Sequence, residues 1–167
     1  KKLIKLKKTS KIKIQKQIYK IKIYENIIDG SEHFALIKGN LKKKISTRLR
    51  VISSNVVENY LISQKIPNSF NKTINYFKKF NNCVLIFIRD PNLKSVSQTL
   101  KKHKNNENNK MGQDKLIKTY GIGAQIIKSL GIKNMILVTR SRKKVVGLDG
   151  YGIKIVKQEI LKWKKKY

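Results

Sequence analysis

The sequence contains few acidic residues, one cysteine and no long apolar run. Asp and Glu number 9 among 167 residues, against 40 Lys and Arg, so the formal net charge is +31. The lone Cys83, inside an apolar run, excludes a disulfide framework within the chain and suggests a buried thiol. No apolar stretch is long enough to span a bilayer, and no secretory hydrophobic segment follows Lys1. We therefore expect a cytoplasmic protein without a membrane partner, folded as one domain with a sizeable core.

The positive charge comes almost entirely from lysine, because only 5 of the 40 basic residues are arginine. Lysines are spread through every segment, and Lys, Asn and Ile are abundant together, which is typical of coding sequence from AT-rich genomes. A charge run is usually a solvated face. We therefore expect nucleic acid to bind only non-specifically. A dedicated basic nucleic-acid-binding module is the alternative, although no helix-turn-helix, RNP or zinc-finger pattern supports it.

Apolar periodicity predicts an α/β fold in which helices pack on a mixed β-sheet. Asp29-Gly30 predicts a hairpin turn, and Gly131 predicts the left-handed end of a helix. Strand patterns cover residues 11–24, 33–39, 46–53, 83–88, 135–138 and 153–156, and helical patterns cover residues 68–81 and the stripe Leu116, Tyr120, Ala124, Ile127 and Leu130.

The chain divides into three parts by composition. Residues 1–10 are interpreted as a tether, residues 11–160 as the folded domain, and residues 161–167 as a charged tail in which Trp163 is a candidate anchor. The polar, low-complexity stretch 101–112 predicts a mobile loop. Because the chain does not begin with Met, we expect a fragment of a longer protein.

The C-terminal third carries a resemblance to a known family. The stretch GAQIIKSLGIKNMILVT at 123–139, the pair Lys143-Lys144 and LDGYGIKIV at 148–156 resemble the C-terminal half of GTP cyclohydrolase II. That family is the zinc hydrolase that opens riboflavin biosynthesis, and it often follows 3,4-dihydroxy-2-butanone 4-phosphate synthase in one polypeptide. The form VVGLDGYG looks most like the fused proteins. The resemblance implies a GTP cyclohydrolase II-like fold, a fused or partner synthase domain, and a homodimer.

The resemblance also predicts that the family's zinc chemistry is missing. Its zinc strand ends in R-V-H-S-E-C with a C-x-C after the next loop, whereas residues 50–55 read Arg-Val-Ile-Ser-Ser-Asn and residues 56–67 hold no cysteine. Three thiolates suit Zn²⁺ and one asparagine cannot replace them. We therefore expect no metal, no cofactor, no catalytic residue and no hydrolase activity. An active cyclohydrolase with altered metal ligation is the alternative. His33, in a family-like strand, is expected to be structural.

A remnant of the phosphate or nucleotide site is expected to survive. Arg89 matches the first arginine of the family's R-Q-E-G-R pattern, although Asp90 to Leu93 departs from the rest. Lys118 stands near the family's proposed nucleophilic arginine, which lysine cannot reproduce. Five positions that match the family each lie at or just after a strand end, and they form the predicted phosphate-binding set: Arg50, Arg89, Thr139, Lys143 and Lys144. The alternative is that these residues serve solubility and local salt bridges.

Overall fold

The computed structural model describes residues 2–41, 45–54, 69–89, 97, 113–142 and 144–162. Two helices in these residues, α1 at Ser69–Phe77 and α2 at Gln113–Ser129, accompany the strands of one sheet. The strands are β1 at Ile4–Ile14, β2 at Gln17–Asn26, β3 at Glu32–Lys38, β4 at Thr47–Ser54, β5 at Cys83–Arg89, β6 at Asn134–Thr139 and β7 at Lys154–Ile160.

The sheet is mixed, as the sequence predicts. Its order is β1-β2-β3-β5-β4-β6-β7 over the described residues. The first three strands and β5 pair antiparallel, whereas β5, β4, β6 and β7 pair parallel. The carboxyl ends of these four parallel strands therefore lie at one edge of the sheet, which is where open α/β sheets usually bind ligands.

Each face of the sheet carries its own apolar cluster. On one face Ile74 and Phe77 of α1 pack with Leu36 and Leu85. The other face holds the larger cluster, in which buried residues of α2 such as Ile126 pack with alternate residues of the same strands. We call these the α1 face and the α2 face. Because side chains alternate along a strand, neighbouring residues belong to opposite faces.

The N-terminal segment differs from its predicted form. Residues 4–10 belong to β1 rather than to the predicted tether 1–10, because β1 begins at Ile4 and that side chain is buried in the α2-face cluster. The Leu3 N–H also donates to Gln125 Oε1 of α2 at 2.7 Å. Residues 11–24 are not one strand but parts of β1 and β2. The turn between them has φ values of 47° at Gln15 and 67° at Lys16. Without glycine or asparagine, the period-two pattern conceals this turn.

Other boundaries agree with the sequence. Gly30 has φ 70° in the turn between β2 and β3, and Gly131 has φ 73° after α2, whose last turn is closed by the Ile132 N–H to Ile127 O bond.

Leu161 belongs to the folded domain rather than to the predicted tail 161–167, since it packs on the α1-face cluster and its N–H donates to Thr139 O at 2.8 Å. The predicted loop 101–112 and Trp163 lie outside the described residues. No helix of the described chain is long and apolar enough to cross a membrane.

Candidate anion-binding site at the strand ends

Arg50 is a buried arginine in the middle of the sheet. It lies opposite Leu85 of β5, so its side chain points to the α1 face, where it is 4% exposed. Its Nη2 donates to Ser69 Oγ, at the start of α1, over 3.0 Å. Its Nε and Nη1 are buried and have no hydrogen-bond partner in the described part of the chain, and no ion pair there includes Arg50. The guanidinium therefore keeps two donor groups for another acceptor.

The surroundings of Arg50 disfavour its own charge. Burial lowers the pKa of Arg50 to about 10, and the positive charge of Arg140 contributes in the same direction. The side chain still carries its proton at neutral pH. A buried cation with unused donors is costly, and an anion that accepts from those donors would offset the cost with charge-assisted hydrogen bonds.

Two further arginines lie near the carboxyl edge. Arg140 follows the last residue of β6 and is exposed. Arg89 ends β5 and is exposed, four residues beyond Leu85 and opposite Ser54. An even number of steps along a strand keeps a side chain on the same face, so Arg89 shares the α1 face with Arg50, about 13 Å further along the strand. The α1 face thus bears positive charge from Arg50 to the carboxyl edge.

The five residues predicted from the sequence do not all lie together. Thr139 stands two residues beyond Leu137, which pairs with Leu49 in the α2-face cluster, so Thr139 points to the face opposite Arg50. Its Oγ1 is buried without a hydrogen-bond partner in the described chain. Lys144 is exposed in the loop after β6, and Lys143 lies outside the described residues. Arg50 and Arg89 share a face, and Thr139 does not.

The sequence reasoning missed Arg140, which acts on Arg50 through its charge. The available signal was composition, because arginine is rare in this lysine-rich chain.

His33 is a structural histidine that holds the end of β5. It is fully buried, and its Nδ1 accepts the Arg89 N–H at 3.0 Å. The ring proton therefore lies on Nε2, which donates to Ser31 Oγ at 3.2 Å. Burial lowers the pKa of His33, the Asp29 carboxylate opposes this, and the charge of Arg89 adds to it. With both nitrogens engaged, neutral His33 orients the backbone that carries Arg89.

The described residues do not fit the zinc of the family. Cys83 is buried on the α1 face, and burial raises the pKa of its thiol to about 11, so it stays protonated. A cysteine binds zinc as a thiolate, and the sequence has no second cysteine. Among the described residues, no group of three or more His, Cys, Asp or Glu side chains lies close enough together to hold a metal ion.

The comparisons identify the family of this α/β domain. The family described as GTP cyclohydrolase II matches residues 5–159. The chain therefore belongs to the GTP cyclohydrolase II family, as the resemblance predicts.

Two curated relatives are longer proteins whose names refer to riboflavin biosynthesis. The chain is 28% identical over 151 residues to riboflavin biosynthesis protein RibBA of Chlorobium phaeovibrioides, covering 84% of this chain and 37% of that protein. It is 30% identical over 145 residues to the chloroplastic bifunctional riboflavin biosynthesis protein RIBA 1 of Arabidopsis thaliana, covering 80% of this chain and 27% of that protein. The chain thus spans less than two fifths of the length of these relatives.

A solved structure shares the fold. RibBX of A. baumannii, described as a two-domain 3,4-dihydroxy-2-butanone 4-phosphate synthase, superposes with a TM-score of 0.64 at 20% identity. The match covers 98% of this chain and 41% of that one. The similarity extends over almost the whole chain, including β1, which supports the inclusion of the N-terminal strand in the domain.

Proposed function

We propose that this chain is a GTP cyclohydrolase II-like domain of riboflavin biosynthesis that has lost zinc and hydrolase activity. We further propose that it serves a fused or partner 3,4-dihydroxy-2-butanone 4-phosphate synthase, and that it keeps an anion-binding site around Arg50. The observation that carries the proposal is the combination of an absent thiolate set with a buried guanidinium whose Nε and Nη1 are unpaired in the described chain.

The loss of hydrolysis follows from the donor set. A catalytic zinc needs protein ligands that leave one position open for water, and soft thiolates supply them in this family. Here Ile52, Ser54 and Asn55 stand where the family has histidine, glutamate and cysteine. Cys83 begins β5 and is a protonated core thiol. Arg50 lies in the same stretch of strand and needs no metal to bind an oxyanion.

The link to a synthase is supported by the domain's relatives. RibBA and RIBA 1 are longer than this chain, and RIBA 1 is described as bifunctional. RibBX is described by its synthase activity, and it contains a region of this fold. A domain of this kind can therefore accompany a synthase, and stabilisation or regulation of that enzyme is the role we assign to it.

Metal content and hydrolysis test the first half of the proposal. We expect less than stoichiometric zinc by mass spectrometry of the purified chain, and no formate release from GTP with added zinc. Stoichiometric zinc together with formate release would establish the alternative, an active cyclohydrolase with altered ligation.

Calorimetry tests the anion site. We expect pyrophosphate or GTP to bind at about 0.15 M salt, where exposed charges are screened beyond about 8 Å. Arg50→Gln should weaken binding by about tenfold or more, because it removes charge-assisted bonds. Arg50→Lys should also weaken binding, since it keeps the charge and loses the fork. The control is Lys133→Gln, which removes one exposed charge before β6, at the opposite end of that strand. If Arg50→Gln and Lys133→Gln lose the same affinity, the anion binds through the general positive charge of the surface and not at a site around Arg50.

The partnership is tested with a 3,4-dihydroxy-2-butanone 4-phosphate synthase added in trans. We expect a change in its melting temperature or its rate with ribulose 5-phosphate that saturates near one domain per synthase. If adding the domain changes neither the rate nor the melting temperature of the synthase, the proposed role is contradicted.

A further inference from the structure

A cavity with polar and apolar walls lies on the α2 face, on the other side of the sheet from Arg50. Its volume is about 520 Å³, which falls within the range of small-molecule sites. Its walls come from the β1–β2 hairpin, the last turns of α2 and the 3-10 turn at Asp149–Tyr151. The segment between β6 and β7 crosses this face, because Leu148 and Ile153 are buried in the α2-face cluster.

Three lysines and no acidic residue line the cavity among the described residues. Lys2, Lys22 and Lys128 come from three separate places, the residue pair before β1, the middle of β2 and the last turn of α2. No ion pair among the described residues includes any of them. Positive charges of one sign around a concavity raise the local concentration of anions. The charge of the cavity therefore selects a negatively charged ligand.

The floor of the cavity is polar and fixed. Tyr24 is 1% exposed, and its hydroxyl is hydrogen-bonded to Ser129 Oγ at 2.9 Å. Burial raises the pKa of Tyr24, so the phenol is neutral and can donate or accept. Gln125 is anchored through its Oε1, which accepts the Leu3 N–H. These groups are held before any ligand arrives, which reduces the entropic cost of binding.

The remaining wall is apolar and aromatic. Ile4 is buried, Leu6 is half exposed, and the ring of Tyr151 is partly buried above the end of α2. An inorganic anion would use only the lysines. An organic anion with a planar part would also cover the aliphatic and aromatic wall, and aromatic rings stack favourably at such surfaces. The cavity therefore combines the two halves of a site for a phosphate ester.

We propose that this cavity binds a small organic phosphate of mononucleotide size. Its phosphate lies among Lys2, Lys22 and Lys128, and its planar portion lies against Tyr151 and the apolar wall. The site is separate from the proposed Arg50 site, since the sheet stands between them, and it does not depend on the loss of hydrolase activity.

The test is calorimetry of the full chain with AMP, GMP, CMP and UMP, each titrated separately at about 0.15 M salt. We expect at least one to bind, and the matching nucleoside without phosphate to bind about tenfold more weakly or not at all. The double variant Lys22→Gln/Lys128→Gln should weaken the nucleotide by about tenfold or more. Its matched control is Lys78→Gln/Lys79→Gln, which removes the same charge just after α1, from the opposite face.

Amide shifts in NMR spectra locate the ligand and check folding. We expect shifts at Lys22, Ser129 and Gly150 in the unmodified chain and in Lys78→Gln/Lys79→Gln. The proposal is overturned by three results: no monophosphate binds, the two double variants lose equal affinity, or the shifts cluster around Arg50 and Arg89 instead. The last result would assign the nucleotide to the Arg50 site.

Discussion

Glu159 of β7 closes a polar cluster that ties the edge of the sheet to α1. Arg48 of β4 donates to both carboxylate oxygens over 3.1 Å, through Nε and Nη2. The Tyr76 hydroxyl of α1 also donates to this carboxylate. The Arg48 guanidinium lies 3.6 Å from the centre of the Phe80 ring, where a cation–π contact is favourable. Since β6 separates β4 from β7, this carboxylate links elements that the sheet's own ladder does not join.

We expect Glu159→Gln to lower the free energy of unfolding by about 2 kcal/mol at pH 7. Hydrogen bonds to charged groups contribute about 1.5–3 kcal/mol, and breaking a buried ion pair costs about 3–5 kcal/mol. We use the lower part of these ranges because the ion pair is partly solvated: the Arg48 side chain is 24% exposed and the Glu159 side chain 14%. The amide keeps the shape of the carboxylate, so the loss measures charge and acceptors rather than packing.

The effect should depend on pH in one direction. Burial raises the pKa of Glu159, but the hydrogen bonds from Arg48 and Tyr76 outweigh it, so the pKa lies below its ordinary value of 4.5. A carboxylate with a depressed pKa stabilises the fold above its unfolded pKa and loses that contribution as pH falls through the folded value. The difference between Glu159→Gln and the unmodified chain should therefore be full at pH 7 and shrink below about pH 4.5.

Urea denaturation followed by circular dichroism measures both effects. The control is Glu32→Gln, which removes an ion pair of similar length, 3.0 Å to Lys7, between side chains that are 50% and 42% exposed. Exposed pairs contribute little because water screens them, so this control should cost much less than Glu159→Gln. The reasoning fails if the two variants cost the same, or if the cost of Glu159→Gln is unchanged at low pH.

Three further outcomes are expected. Replacing Gln15-Lys16 by Asn-Gly should stabilise the chain by about 1 kcal/mol in urea denaturation, because both residues have positive φ; no gain would contradict this. Gly39→Ala should lower the free energy of unfolding by more than about 3 kcal/mol or prevent folding, because the new Cβ would lie 2.0 Å from the Asn81 carbonyl oxygen and φ is positive. Gly30→Ala should cost only about 1 kcal/mol, because φ is also positive there but no atom lies within 4 Å of the new Cβ. The Cys83 thiol, with its pKa raised to about 11, should react with a disulfide reagent only after unfolding; rapid reaction of the folded chain would refute its burial.

The periodicity of apolar residues located most of the parallel strands and both helices, because these elements bury apolar side chains at regular spacing. The stripe that ends at Leu130 is followed by Gly131 at positive φ, and both features were readable in the sequence. The hairpin of β1 and β2 was not, since Gln15 and Lys16 give no turn signal. Lysine in a solvated strand also looks like lysine in a tether, and only the burial of Ile4 distinguishes them.

The candidate site was less predictable than the fold. Family resemblance predicted positions at strand ends, but Arg50 lies in the middle of β4, and the resemblance carried no information about faces. The face of Thr139 depends on pairing register, Leu49 with Leu137, and a shift by one residue would have brought it to the face of Arg50. The cavity beside α2 was invisible to motif reasoning, because its lysines are separated by up to 126 positions, from Lys2 to Lys128, and each resembles every other lysine of the chain.

The compositional bias that obscures the lysines makes the arginines informative. Where a point charge is enough, the chain uses lysine, as at Lys38, whose Nζ donates to the Phe77 and Lys78 carbonyl oxygens after α1. Where a planar fork is needed it uses arginine, as at Arg48 on Glu159. Arg50 is buried, and in the described chain only its Nη2 has a hydrogen-bond partner, Ser69 Oγ. By the same logic, the ligand that we propose for Arg50 is an acceptor with more than one oxygen, and a phosphate meets that requirement.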